Sequence, residues 1–149
     1  MKITRSTAIH EAAHAVAAIR AGLVFDHVTA VADLEQELDG ALHWTDLQSS
    51  GEVAMSPELV AVVLLAGPCA EARAMRRRVD LVFADDAAAD DRESMASLEL
   101  DEVSFLAASR EALGLIERDW QAIERVASEL AKGRRLTFDE VAALVVADD

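Results

Sequence analysis

Ser6-Thr7-Ala8-Ile9-His10-Glu11-Ala12-Ala13-His14-Ala15-Val16-Ala17-Ala18-Ile19-Arg20-Ala21-Gly22 has the marks of a single helix. Ser6 or Thr7 offers a side-chain oxygen to the free amides of a first turn, and Gly22 suits the stop just past the last one. Ile9, Ala12, Ala13, Val16 and Ile19 recur at helical spacing and predict a face turned to the core. His10 and His14 stand at i and i+4, one turn apart on one face. Two imidazoles so placed can reach one tetrahedral Zn²⁺. Glu11, beside them in sequence, is the candidate general base, able to take a proton from a water that attacks a carbonyl. The competing reading is two surface histidines on an alanine-rich helix; the His-Glu-x-x-His pattern on a capped amphipathic helix favours the metal.

A catalytic zinc of this kind wants a third protein ligand and one open position. The residues alone leave the third ligand open among His27, His43 and the carboxylates of a later acidic segment.

Moving outward, His27-Val28-Thr29-Ala30-Val31 and Ala41-Leu42-His43-Trp44-Thr45 alternate like short strands, and they predict an antiparallel pair with a longer connection. Residues 46–54 read as loop. Ser56-Pro57 opens a second helix, with Ser as cap and Pro in the first turn. That helix is apolar nearly all round and should be buried, and Gly67-Pro68 should kink or split it. Arg73, Arg76, Arg77 and Arg78 fall where it should end, and cations there meet the negative end of the helix dipole. Residues 79–101 are acidic, with a helix expected over 87–98. A long helix is expected from 103 to 132, with a break near Gly114 and Gly133 as its end. Thr137 and Glu140 form a capping-box pattern for a last helix docked by Val141, Leu144 and Val145. The expected fold is mainly α with a small β-sheet, in one domain over 1–149.

The totals narrow the function. The chain has 149 residues, a formal net charge of −14 and a pI near 4.5. So acidic a surface repels phosphate backbones and argues against nucleic acid as a partner. Cys69 is the single cysteine, which rules out an intrachain disulfide and a cysteine-rich zinc site. It sits in an apolar run and is expected to be a buried small hydrophobe. Leu59 to Ala70 is too short to span a bilayer and contains Pro68, so no membrane span is expected. His10, Glu11 and His14 interrupt any N-terminal signal core, and the expected compartment is cytoplasmic.

The chain also resembles the peptidase domain of the FtsH family, the AAA+ zinc proteases. The likeness is carried by His10-Glu11-Ala12-Ala13-His14-Ala15-Val16, by Val28 to Val31 with Gly40 to Thr45, by Leu65-Ala66-Gly67-Pro68-Cys69-Ala70-Glu71-Ala72, by Ala87-Ala88-Ala89-Asp90-Asp91-Arg92-Glu93, and by Leu130 to Leu144. Together these stretches span nearly the whole chain. Ala13 and Ala87 stand where the family has glycine, and Pro68 where it has arginine. The resemblance implies a zincin-type helical fold and Zn²⁺ as cofactor. It implies Asp91 as third metal ligand beside His10 and His14, with Asp90 as second choice. Glu71 matches a family glutamate and is expected either to orient a ligand histidine or to pair with a neighbouring arginine. The implied activity is a zinc-dependent endopeptidase. No ATPase domain is present among these residues, so the expected substrates are flexible or already unfolded polypeptides, or else a protein partner supplies the unfolding. The apolar helices admit a homo-oligomer. Two other readings stand beside this one: a metal-binding regulatory or interaction module that has lost turnover, and a helical adaptor with a coincidental motif.

Overall fold

The computed structural model describes residues 3–31, 41–42, 48–49, 56–79, 82 and 89–147, with the backbone alone at 41–42, 48–49 and 89–90. The fold is mainly helical with small sheets. Helix α1 (Arg5–Arg20) leads into strands β1 (Leu23–Val24) and β2 (His27–Thr29). Strands β3 (Ala41–Leu42) and β4 (Gln48–Ser49) precede helix α2 (Pro57–Met75). Helices α3 (Ala89–Ser97), α4 (Glu102–Arg118) and α5 (Trp120–Ala131) follow, and then strand β5 (Leu136–Thr137) and helix α6 (Phe138–Val146). Among the described residues no helix is long and apolar enough to cross a membrane.

β2 pairs antiparallel with β3, Val28 opposite Leu42, as the two alternating stretches predicted. Two pairings were not anticipated. β5 lines the other side of β2, with Val28 opposite Leu136, and β1 pairs with β4 through Leu23 and Ser49. β4 lies inside the stretch expected to be loop. β1, β4 and β5 are each two residues long and, unlike β2 and β3, lie in no longer stretch that alternates visibly in sequence.

α1 is capped two or three residues earlier than expected, at Thr4 instead of Ser6 or Thr7. Thr4 has extended backbone, and its side chain accepts the Thr7 amide at 3.2 Å. Gly22, at φ +76°, turns the chain out of the helix. Ala8 to Ala18 are all buried, the three polar residues included. α1 is thus the central helix, packed on α2, α5, α6 and the strands. Full burial of Ile9, Leu23, Ile123 or Leu130 is worth about 1.5–3 kcal/mol per side chain.

α2 starts as predicted, with Ser56 accepting the Leu59 amide at 3.2 Å and Pro57 in the first turn. Gly67-Pro68 does not split it. The helix runs unbroken to Met75, although Pro68 has no amide to give the Leu64 carbonyl. Burial of every residue from Ala61 to Ala72 holds the two halves together. It ends at Arg76 (φ +54°), where the Arg77 amide reaches back to the Ala72 carbonyl at 2.9 Å. Arg73 covers the Trp120 ring, 4.6 Å from its centroid.

The long C-terminal helix breaks at Asp119, not near Gly114. Asp119 leaves helical geometry at φ −107°, ψ 19°, and its carboxylate accepts Arg20 at 2.9 Å. An ion pair to the end of α1 therefore sets the joint, and Gly114 is carried inside α4. The predicted capping box of α6 is present: the Glu140 amide donates to the Thr137 hydroxyl at 3.3 Å, and the Thr137 amide to the Glu140 carboxylate at 3.1 Å. Val141 and Val145 are buried, and Leu144 packs beside them.

Candidate metal centre

The middle of α1 and α2 and the first turn of α3 meet at one polar point inside the molecule. α1 brings His10 and His14, their rings edge to face with centroids 4.7 Å apart. α3 brings Asp91. Its Oδ2 lies 2.8 Å from His10 Nε2 and 3.4 Å from His14 Nε2. One ligand atom from each of the three residues falls within 4.8 Å of the others, and all three side chains are buried.

The far nitrogens are also engaged. His10 Nδ1 lies 2.9 Å from Glu71 Oε1 of α2, and His14 Nδ1 lies 2.7 Å from the Val63 carbonyl oxygen. A carbonyl oxygen only accepts, so the Nδ1–H of His14 donates to it, and Nε2 is the nitrogen turned toward Asp91. A carboxylate or carbonyl on the remote nitrogen is the usual support of a metal-binding histidine. Glu71 is buried and faces His10, while Arg73 lies over Trp120. Of the two alternatives for Glu71, the geometry is that of orientation.

Electrostatically the cluster asks for a cation. Glu11, Glu71 and Asp91 are all buried around two imidazoles. Burial opposes a charge on His10. The hydrogen bonds to Asp91 and Glu71 and the charge of Glu11 outweigh it and push its pKa up to about 10. Burial likewise opposes ionisation of Asp91, but the His14 charge and the His10 hydrogen bond hold it well below the usual carboxylate range. Buried carboxylates are costly unless a positive charge compensates them. A proton on His10 is one such charge; a divalent ion among His10, His14 and Asp91 is another. Two imidazole nitrogens and a carboxylate oxygen are a donor set that a divalent ion accepts. The residues present therefore fit a metal.

The structure brings together four positions anticipated from sequence, His10, His14, Asp91 and Glu71, with Glu11 adjacent on α1. His27 is buried in β2 with Nδ1 against the Asp26 carboxylate and is not part of the group. His43 and the Asp90 side chain lie outside the described residues. Cys69 is buried as expected, and burial pushes its thiol pKa up to about 11. Sequence reasoning missed Val63, which acts through its backbone and so leaves no signal in side-chain pattern. It noted Gly67 only within the Gly67-Pro68 break and the family-like stretch, although a glycine inside an otherwise apolar buried helix is itself a sign of close approach. No protein-family model, no curated protein and no solved structure matches this chain.

Proposed function

We propose that this chain is a zinc-dependent endopeptidase of zincin type, related to the FtsH peptidase domain and acting on unfolded or flexible polypeptides. The observation that carries the reading is the convergence of His10, His14 and Asp91, from segments far apart in sequence, beside a glutamate that follows the first histidine. His10, His14 and Asp91 would hold the zinc, and Glu71 and the Val63 carbonyl keep the two imidazoles turned toward it. Zinc bound there would supply an electrophile for the peptide carbonyl and acidify the attacking water. Glu11 takes the proton from that water and returns it to the leaving amine.

Glu11→Gln tests the assignment. The amide keeps the shape of the side chain and loses the base. Zinc content should stay at the wild-type level, and cleavage of an unfolded protein substrate should fall by roughly 10²–10⁴. Undiminished cleavage by Glu11→Gln would remove Glu11 as the base. Stoichiometric zinc with no cleavage even in the wild type would favour a metal-binding regulatory module on the same scaffold.

A further inference from the structure

α2 approaches the two histidines through Gly67. A Cβ at this position would lie 2.8 Å from His10 Nε2 and 2.6 Å from His14 Cε1, with His14 Nε2 closer still. Carbon never rests that near a ring atom, so the rings would have to move. They have little room to do so. Each ring is buried and tied at Nδ1, His10 by Glu71 and His14 by the Val63 carbonyl. Val63 and Glu71 both belong to α2, which also carries Gly67, so the helix that would push the rings is the one that anchors them.

We infer that Gly67 is the residue that keeps the metal volume open: its missing side chain leaves room for an ion between the two Nε2 atoms. The inference rests on the metal site proposed above and adds a positioning residue to it. An ion bonded to both nitrogens sits about 2.0–2.1 Å from each. A methyl carbon within 3 Å of the same two nitrogens leaves no arrangement in which both rings stay in place and both ligate. The role differs from that of a glycine needed for backbone freedom, because Gly67 lies in a regular helix where alanine would otherwise be preferred. Replacement by alanine should raise helix propensity and still lose the ion.

The test is a Co²⁺ titration of the metal-free protein, read by visible d–d absorption. Wild type, Gly67→Ala and Ala70→Gly are compared, with far-ultraviolet circular dichroism to check folding. Gly67→Ala should fold and bind Co²⁺ about 100-fold more weakly or worse, at or beyond the upper range for lost support around a metal. Ala70→Gly should keep wild-type affinity. Gly67→Ala that binds Co²⁺ as tightly as wild type, with the same spectrum, overturns the inference and leaves the metal site standing. Absence of binding by the wild type overturns the metal site itself. If Gly67→Ala does not fold, it is combined with His10→Ala and His14→Ala. Recovery of folding on removal of both rings assigns the conflict to the metal volume. Continued unfolding assigns Gly67 to packing elsewhere and rejects the inference.

Discussion

Helices α1 and α5 pack in the same core and follow opposite rules. α5 buries Ala122, Ile123, Val126, Ala127 and Leu130 on one face and leaves Gln121, Glu124 and Ser128 exposed. That is what packing alone requires of a helix. α1 is buried along both faces from Ala8 to Ala18 and still carries two histidines and a glutamate inside. An apolar α1 would fold with less penalty, since buried charges lose hydration that their pairing only partly restores. The difference separates residues kept for the fold from residues kept for a site. Alanine makes the arrangement possible: Ala12, Ala13, Ala15, Ala17 and Ala18 let neighbours close on α1 and leave His10 and His14 to meet α2 and α3.

Substitutions in the two helices should separate fold from site. Ile123→Ala should destabilise the protein by about 2–5 kcal/mol in urea denaturation, the range for deleting a fully buried aliphatic side chain. It should leave the zinc stoichiometry of the folded protein unchanged. If Ile123→Ala also removes the metal, the two helices are not separable in this way.

The α1 side carries a pH dependence centred on its buried residues. His10 has its pKa raised from 6.5 to about 10 in the folded chain, so the folded state holds that proton more tightly than the unfolded one. In metal-free protein this contribution is complete below about pH 6.5, and it is lost as pH rises through about 10. Asp91 works in the opposite sense: its contribution is present above its ordinary pKa of 3.8 and disappears as pH falls below it. The Tm of the metal-free protein should therefore decline from pH 6.5 toward pH 10, and His10→Ala should flatten that decline. An unchanged alkaline slope in His10→Ala would place the titrating group elsewhere.

The smallest expected effect lies at the far end of the chain. Thr137→Ala removes one half of the α6 capping box and should cost about 1 kcal/mol, measured by thermal unfolding, without touching the metal centre.

Much of this was legible in the sequence where the cause is local. The cap at Ser56 and the box at Thr137 and Glu140 follow from residues a few positions apart, and the antiparallel pair from alternation within each of its two stretches. His10 and His14 were readable for the same reason, being one helical turn apart. Features set by distant partners were hidden. The joint at Asp119 depends on Arg20, 99 positions away, so the glycine at 114 misleads. Pro68 fails to split α2 because that helix is buried on both sides of it. Asp91 could be preferred over Asp90 only through family resemblance, since both stand in the same acidic run. Its approach to both histidines is a property of how α3 folds over α1.

Metal content tests the buried group of His10, His14 and Asp91 most directly. Zinc per chain should be measured by elemental analysis for the wild type, His14→Ala and Asp91→Ala, each supplied with zinc at neutral pH. About one zinc is expected in the wild type and essentially none in either variant. A wild type without zinc, or an Asp91→Ala variant that keeps it in full, would contradict the assignment of this site.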